Sequence, residues 1–489
     1  MRCRLEVLSR DEIYDIHVAS LEVLEYTGAT FWSKEALKIF DDYGAMVDYE
    51  KFNVKIPGYM VEELVRKAPK KFIIHGRKPK YNVEWGGKKQ FLDLGGDYLY
   101  VIDMETGKRR FGLLKDCENF IRIGDALENI PQPYPVIRYP HDVPEELQHV
   151  ELWMTHYRNT PAPCLVFSED RDKAKDCIEL AAIAAGGEEE LRRKPNAWNA
   201  GMCPSPPLLF GDKLTEGVIE CAKHGLPIWF LPMDNVGATA PITLAGTIVQ
   251  TNATNLAGIC LTQIVNPGVG VSYGDIPTVI DLRTGIPSVG CPEQALHCVA
   301  TTQMAKFYGL PSQSWSGISD SKVVDVQAGY ESALGLLPTL LAGANRVVSG
   351  ALEYHYSACY EMLVIHDEIF GMAKRMADGI EVNEDTMAVS VIKKIAPLAA
   401  TKAGGHYMAE KHTLEHIDKE RYVPKLSDKT SRDVWEKAGS KDLRQVARER
   451  VKEILATHVP EPPPPDILKE LEKKAGEIKK RILKGKKPS

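Results

Sequence analysis

Short apolar segments alternate with amphipathic helical segments through the middle of this chain. Eight such strand–helix units over about 280 residues predict a (β/α)8 TIM barrel, with a doubly wound open sheet as the alternative. The open sheet has less support, because neither a G-x-G-x-x-G motif after the first strand nor a P-loop is present. The strand candidates are Tyr98–Ile102, Tyr134–Arg138, Cys164–Phe167, Ala197–Met202, Pro227–Leu231, Val269–Tyr273, Gln313–Gly317 and Arg346–Ser349. The helix candidates are 115–127, 145–157, 169–184, 213–224, 241–262, 292–308, 323–342 and 358–377.

The flanking sequences predict further units. Residues 1–85 are expected to form an N-terminal helical domain, which opens with a capping-box pattern at Ser9 and Glu12. Residues 86–380 would be the barrel, 381–459 a C-terminal helical extension, and 460–489 a Pro-rich linker and a basic helix. That last helix could dock on the acidic body of its own chain, on a second subunit or on an acidic partner.

Composition narrows the function classes. A formal net charge of -6 gives no electrostatic reason to expect nucleic acid binding. The N-terminus lacks the apolar core of a signal peptide, and the longest apolar segments are too short to span a membrane. We therefore expect a cytoplasmic protein that does not associate with membranes, with reduced and mostly buried thiols, because its cysteines show no C-x-x-C pairing.

The candidate ligand-binding residues follow the predicted strands, since α/β folds bind ligands at the carboxyl ends of their strands. Aromatic side chains and carboxylates recur there, whereas no G-x-S-x-G nucleophile elbow is present. Aromatic faces with a few carboxylates suit a soft cation such as an alkylated amine, although any one of these rings could simply fill the barrel. These residues are Tyr139, Tyr273, Trp315, Tyr354 and Tyr356, with Asp234, Asp275, Asp320 and Glu353.

Two other sequence motifs could bind a partner, a cofactor or a metal. The loop Gly237–Gly246 is small and apolar, which suits the approach of a flat, bulky partner or cofactor. His412 and His416 lie four residues apart and could share a helix face that binds a metal. Because no H-E-x-x-H motif supplies an acidic third ligand, the sequence predicts no bound metal.

Several long phrases resemble the trimethylamine methyltransferase family of corrinoid-dependent methyltransferases. The resemblance covers residues 8–458 and leaves out the basic tail. It implies a (β/α)8 barrel with an N-terminal helical segment and C-terminal helices. The matching phrases, in order, are Asp11–Gly28, Met233–Gly246, Asn266–Gly274, Asp281–Gly285, Phe307–Pro311, Ser319–Tyr330, His412–His416 and Pro424–Leu426.

The resemblance also implies a reaction. Family members move a methyl group from a methylamine to the Co(I) of a corrinoid (cobalamin) carried by a separate small protein, in methanogenesis or one-carbon metabolism. Founding members carry pyrrolysine, which aligns with Ile318 here. Relatives without pyrrolysine are associated with quaternary amines such as glycine betaine, so the chain resembles that branch. A quaternary amine leaves as a neutral tertiary amine and needs positioning rather than a general acid.

On this basis we expect Tyr273, Trp315, Tyr354 and Tyr356 to surround the cation. Asp320 and Glu353 are the expected catalytic carboxylates, and they would balance the charge of the substrate. A substrate carboxylate would bind His355 or Arg283, with Lys322 and Arg346 as further candidates. Gly237, Thr239 and Gly274 are expected to face the corrinoid.

The expected partners are a corrinoid protein, a small quaternary amine and further copies of the chain. Three alternatives stay open: methyl transfer from a tertiary methylamine, a different barrel chemistry such as that of a lyase or hydrolase, and a non-catalytic quaternary-amine binding protein.

Overall fold

The computed structural model describes residues 3–199, 201–400 and 404–485. Within these ranges no helix combines the length and the apolar character that crossing a membrane requires. The fold is mixed α/β. Its helices are Arg10–Glu22, Lys34–Tyr43, Gly58–Lys67, Leu114–Ala126, Gln148–Asn159, Arg171–Ala185, Glu188–Arg193, Asp212–Lys223, Leu244–Val265, Pro292–Tyr308, Val326–Ala342, Tyr360–Asp378, Val389–Ile395, Lys411–Glu420, Arg432–Lys437, Leu443–Thr457 and Pro465–Gly485.

A curved parallel sheet lies at the centre. Its five strands, in spatial order, are Ile228–Trp229, Val271–Asp275, Ser312–Ser314, Arg346–Ser349 and Phe91–Leu94. The strand latest in the chain therefore pairs with the earliest one, in parallel register from Arg346 opposite Phe91 to Ser349 opposite Leu94. A second parallel pair, Cys164–Val166 with Ala197–Asn199, continues the curve, because Met202 forms a parallel bridge with Phe230.

A buried ion pair fixes which side chains point into the curve of the sheet. The Arg346 guanidinium donates from Nε to Asp93 Oδ2 at 2.7 Å, from Nη1 to Gln313 Oε1 at 2.8 Å and from Nη2 to the Tyr134 hydroxyl at 2.8 Å. It also lies 4.2 Å from the centre of the Trp229 ring. A charge inside a protein is tolerated only when it is paired and hydrogen-bonded in this way.

The N-terminal helices are tied to the same structure. The strand Ala29–Phe31 pairs antiparallel with Asn53–Lys55 and parallel with Leu209–Phe210, which comes from the central region. The Phe31 and Phe210 rings stack at 4.3 Å. Their buried side chains belong to one continuous core with those of the central sheet. The predicted capping box is present, since Ser9 and Glu12 each bond the backbone of the other.

Two hairpins form a rim at the carboxyl edge of the sheet. Tyr100–Ile102 pairs with Arg109–Phe111, and Thr278–Asp281 pairs with Ile286–Ser288. The strand Asn235–Val236 pairs with the second hairpin. This rim surrounds the edge where the sequence predicts ligand binding.

The basic C-terminal helix docks on its own chain, which is one of the three predicted alternatives. It packs against the helices Gln148–Asn159 and Arg171–Ala185. Its Leu471, Ala475 and Ile478 side chains are buried there. Ion pairs flank this apolar strip: Arg158 with Glu472 at 2.8 Å, Lys474 with Glu179 at 3.4 Å, and Lys479 with Glu151.

The predicted helices agree with the structure to within a few residues, whereas two predicted strands do not. The predicted strand Tyr134–Arg138 is reduced to a single parallel bridge between Ile137 and Tyr98. The helix Pro292–Tyr308 has the predicted bounds, 292–308. The first strand of the sheet is Phe91–Leu94 and not Tyr98–Ile102. Tyr100–Ile102 belongs instead to a rim hairpin, whose alternating pattern resembles that of a half-buried sheet strand.

Candidate active site

Three aromatic rings converge at the carboxyl edge of the sheet. Trp315 follows Ser312–Ser314, while His355 lies in the loop after Arg346–Ser349. The ring centroids of Trp315 and His355 are 4.3 Å apart, and those of His355 and Tyr98 are 4.7 Å apart, both in edge contacts. Trp315 is 4% exposed and packs with Leu231, Ile276 and Val348. Loops that follow separate strands thus share one aromatic cluster.

A strained turn presents His355 to this cluster. The φ angles of Glu353, Tyr354 and His355 are 55°, 56° and 74°, so three consecutive non-glycine residues are left-handed. Each such residue costs on the order of 1 kcal/mol, and such strain concentrates at functional sites. The turn is held by hydrogen bonds from Glu353 N to Ser321 O and from Tyr354 N to Ser319 O, at 2.9 and 3.2 Å.

The imidazole of His355 is neutral at physiological pH. Burial lowers the pKa of His355 to about 3, and a hydrogen bond to the backbone of Gly96 opposes this only in part. In the described part of the chain, His355 Nδ1 and Trp315 Nε1 are buried without a hydrogen-bond partner. The rings themselves carry no charge, and the guanidinium of Arg346, which is paired with Asp93, lies 6.0 Å from the centre of the Trp315 ring.

A group of charged side chains lies at the same edge. Arg138 Nε is 2.8 Å from Glu169 Oε1 and 3.7 Å from Asp97 Oδ1. Burial alone would raise the pKa of Glu169, but Arg138 and then Lys173 outweigh it, so the pKa is lowered. Burial raises the pKa of Asp97, with Arg138 opposing the increase and Glu169 adding to it. When both carboxylates are ionised, they exceed the single guanidinium by one negative charge.

Cys203 connects the charged group with the aromatic cluster. Its side chain packs against the Trp315 cluster. Burial raises the pKa of the Cys203 thiol to about 12, with Asp97 adding to the increase and Arg138 opposing it. Asp97 and Arg138 are therefore neighbours of the Cys203 thiol, which packs against the Trp315 cluster. The site combines aromatic rings with a nearby group of two carboxylates and one guanidinium.

The structure keeps two of the predicted binding residues apart from this site. Tyr273 is buried between the sheet and the helix Leu244–Val265, where its hydroxyl donates to Asn252 Oδ1 at 2.7 Å. Arg283 lies at the tip of a rim hairpin with its side chain 90% exposed, and it pairs with Asp281 at 3.1 Å. Arg346 is enclosed by its partners inside the sheet, and Lys322 Nζ donates to the backbone of Asp320.

Tyr354 and Tyr356 lie beside His355, as the sequence suggests. Their ring centroids are 5.6 Å apart. Tyr354 is half-buried and hydrogen-bonds to Thr278, while burial raises the pKa of its hydroxyl. Tyr356 is exposed at the rim. Of the four predicted aromatic residues, the structure therefore gathers Trp315, Tyr354 and Tyr356 around the strained turn.

The two carboxylates predicted to be catalytic hold loops together. Asp320 accepts hydrogen bonds from the Ser288 hydroxyl and from the backbone N–H groups of Val289 and Gly290, at 2.5, 3.1 and 3.1 Å. Glu353 accepts from the Ser357 hydroxyl at 2.6 Å and from Arg109 at 3.2 Å. The acid nearest to the aromatic cluster is instead Asp97, which acts electrostatically on Tyr98, while Glu169 is joined to Asp97 through Arg138.

The three residues predicted to face a corrinoid separate into two groups. Gly237 and Thr239 lie in the rim loop, where Gly237 adopts a φ of 84°. Thr239 is exposed. Gly274 is buried in its strand, where an added Cβ would come 2.3 Å from Gln313 Cγ. Gly274 thus allows close packing inside the sheet and is not on the surface.

Sequence reasoning missed Asp97, Arg138 and Glu169 as site residues. Arg138 ends a predicted strand, and Glu169 comes two residues after the predicted strand Cys164–Phe167. The rule that strand-end residues bind ligands would therefore have found both. Asp97 was hidden because the first strand was placed after it.

The chain is similar to known proteins along most of its length. A family model described as "Trimethylamine methyltransferase (MTTB)" matches residues 2–482. The basic helix is thus largely inside the match, which corrects the expectation that it lies outside. The structure of the Methanosarcina barkeri monomethylamine methyltransferase aligns with a TM-score of 0.49 and 11% identity, over 92% of this chain and 89% of that chain.

Full-length relatives agree with the family match. A glycine betaine methyltransferase of Desulfitobacterium hafniense (strain Y51) is 34% identical over 468 residues, 95% of each chain. A trimethylamine methyltransferase of Desulfitobacterium hafniense (strain DSM 10664 / DCB-2) is 35% identical, over 94% of this chain and 91% of the relative. A trimethylamine methyltransferase of Methanosarcina barkeri (strain Fusaro / DSM 804) is 35% identical, over 96% of this chain and 94% of the relative. The chain therefore belongs to the trimethylamine methyltransferase family, and it is a methyltransferase.

Proposed function

We propose that this enzyme moves a methyl group from a quaternary amine such as glycine betaine to the Co(I) corrinoid of a partner protein. The observation that carries the proposal is the contact of the Trp315, His355 and Tyr98 rings near a group of two carboxylates and one guanidinium, Asp97, Glu169 and Arg138. A trimethylammonium group carries a permanent charge and no N–H donor. It is bound by aromatic faces and nearby carboxylates rather than by hydrogen bonds.

The protonation state of the site supports a quaternary donor. Displacement of a neutral tertiary amine from the methyl carbon requires no proton, so the enzyme's contribution is to orient the substrate and exclude water. His355 suits this role because its pKa of about 3 keeps the ring uncharged beside the cation. An imidazolium at that position would repel the substrate.

Ile318 supports the same choice. The family resemblance aligns this position with pyrrolysine, which is thought to capture a tertiary amine. The Ile318 side chain is 1% exposed and belongs to the main hydrophobic core. A buried aliphatic chain offers no reactive group to a tertiary amine, so trimethylamine lacks its partner in this site.

A carboxylate on the substrate has a candidate anchor in Arg138. Its Nε faces Glu169 and Asp97. The terminal N–H groups of a guanidinium can donate two parallel hydrogen bonds to one carboxylate. In this proposal Asp97 and Glu169 balance the ammonium charge, while Arg138 selects substrates that also carry an acid.

The methyl acceptor has to reach the same edge of the sheet. Exposed apolar side chains on the rim, Ile242, Leu282 and Ile286, fit the approach of a partner with an apolar surface. Gly237 lies among them and keeps the rim loop close to the second hairpin. We also infer that the five-stranded sheet, the parallel pair and the bridge between Tyr98 and Ile137 belong to a closed (β/α)8 barrel.

Absorbance of cob(I)alamin with the purified enzyme tests this function. The panel contains trimethylamine, glycine betaine, carnitine, γ-butyrobetaine, choline and proline betaine. Loss of the Co(I) band and growth of methyl-Co(III) with a quaternary amine is the expected result. Methyl transfer from trimethylamine alone would overturn the assignment. No methyl transfer from any of these amines, with a corrinoid protein present, would favour a binding protein.

A further inference from the structure

A segment near the C-terminus lacks an apolar core of its own. Of the described residues between 380 and 425, only Ile395 has a buried side chain. The helix Lys411–Glu420 has no buried residue, although it carries the exposed apolar side chains Leu414 and Ile417. A short helix without a buried face is marginal in water, so other interactions have to hold it in place.

Three metal-ligating side chains meet in this segment. His412 and His416 lie one turn apart on the helix, with their rings stacked at a centroid distance of 4.1 Å. Asp385 comes from the preceding loop, and its Oδ2 is 3.0 Å from His416 Nε2. The backbone oxygen of Asp385 is 3.2 Å from His412 Nε2. Asp385 thus supplies the acidic third group that the spacing around the two histidines lacks.

One ring is already oriented as a metal ligand would be. His416 Nδ1 donates to the backbone oxygen of His412 at 2.8 Å. With the proton on Nδ1, the lone pair of Nε2 points at the Asp385 carboxylate. At this distance a positive charge lies between the two atoms: a proton on Nε2 supplies it in the metal-free protein, and a metal ion could take its place. A backbone carbonyl on the second nitrogen is the usual partner of a metal-bound histidine.

We propose that Asp385, His412 and His416 bind a divalent transition-metal ion, for which zinc is the best chemical match. Two imidazoles and one carboxylate, with water in the fourth position, form a common zinc ligand set. One ligand atom from each residue lies within 4.8 Å of the others. Zinc bonds of about 2.0–2.2 Å bring such atoms to roughly 3.4 Å apart, a change that rotation of partly exposed side chains supplies.

The ion would act as a brace for the segment. It would join the helix Lys411–Glu420 to a loop 27 residues earlier in the chain, in a region where few side chains are buried. A metal that closes such a loop substitutes for a missing apolar core. The cluster lies outside the aromatic and charged site, so the proposal is independent of the identity of the methyl donor.

Metal content after zinc loading tests the proposal. The full-length enzyme is stripped with a chelator, dialysed against buffer with micromolar zinc and measured by plasma mass spectrometry. We expect about one zinc ion per chain. His416→Ala and His412→Ala should each weaken zinc binding about 100-fold or more. Replacing zinc by Co2+ should give a visible absorption band that both variants lack.

The control is His406→Gln, a nearby exposed histidine outside the cluster, which should bind zinc as the unmodified enzyme does. Zinc should also slow proteolytic cleavage between residues 380 and 420 in the enzyme and in this control, but not in His416→Ala. Less than a tenth of an equivalent of zinc in the intact enzyme would overturn the proposal. So would equal zinc content in the enzyme and in a double His412→Ala, His416→Ala variant.

Discussion

The indole of Trp315 packs in an edge contact against the imidazole of His355, with the ring centroids 4.3 Å apart. The contact joins loops that follow two adjacent strands of the sheet, and a left-handed turn brings His355 into it. Because the imidazole is neutral, the pair presents an aromatic surface of low charge next to Asp97 and Glu169. In the proposed function, these rings would hold a cationic methyl donor through their faces and edges rather than through hydrogen bonds to the cation.

Replacing Trp315 by phenylalanine should weaken binding of the amine. The indole has the strongest cation–π attraction of the aromatic side chains, so its loss should raise KM by about 5- to 30-fold, with a smaller change in kcat. Trp32→Phe, at an exposed position far along the chain, is the matched control and should leave KM unchanged. An unaltered KM in Trp315→Phe would exclude Trp315 from the cation site.

Asp97→Asn should reduce the attraction for the cation without removing the side chain. The variant removes the negative charge that Asp97 carries when it is ionised, so KM for a quaternary amine should rise about tenfold at low salt. Asp97 is 58% exposed, so added salt should shrink this difference between variant and parent. Glu145→Gln, an exposed acid of the same region, serves as the control, and equal KM values for Asp97→Asn and the parent would contradict the role.

The buried His366 should make the enzyme less stable in mild acid. Burial lowers the pKa of His366 to about 3, against 6.5 for an ordinary histidine. Between these values the unfolded chain binds a proton that the folded chain does not, so the free energy of unfolding falls as pH falls. The contribution is about 1.4 kcal/mol per pH unit below 6.5.

Urea unfolding at pH 6.0 and 5.0 measures this effect. In His366→Gln, the free energy of unfolding should depend less steeply on pH, with a slope smaller by about 1.4 kcal/mol per pH unit. Its folded state is also expected to be weaker at pH 7, because the ring bonds Gly350 N and the Ser332 hydroxyl at 2.8 Å each. His141→Gln, an exposed position, should keep the parental slope, and the same slope in His366→Gln would refute the assignment.

The docked basic helix should depend on its apolar strip more than on its charges. Leu471 is fully buried, and Leu471→Ala should lower the free energy of unfolding by about 2–4 kcal/mol. Lys474→Ala removes partly exposed ion pairs and should cost less than about 1 kcal/mol. Calorimetry of both variants decides the question, since a larger loss for Lys474→Ala would mean that charge pairing holds the helix.

Helix positions were predictable because a helix repeats its burial pattern over many residues. Leu114–Ala126 shows this, with buried residues at 116, 117, 120, 121, 123 and 124. Strands of two to five residues carry too few positions to define a period, which is why Phe91–Leu94 was missed in favour of a hairpin.

Side-chain direction at the site was harder to predict than the location of the loops. Successive residues of a strand face opposite sides, so Tyr273 points to the helix layer, whereas Ser272 on the other face bonds Gln313. The sequence could not show that the Asp320 carboxylate would accept hydrogen bonds from Ser288 and its neighbours. Those contacts join residues about thirty positions apart. The sequence did place Trp315 directly after one strand and His355 in the loop region after the next, which is where the structure has them.

The most direct test of a quaternary donor is a competition followed by proton NMR. The enzyme, its reduced corrinoid acceptor and equimolar trimethylamine and glycine betaine are incubated together without oxygen, with the other quaternary amines in parallel reactions. We predict a tertiary amine product such as dimethylglycine, equal to the methyl groups accepted, and no dimethylamine. Dimethylamine as the demethylated product, with every quaternary amine unchanged, would contradict the account.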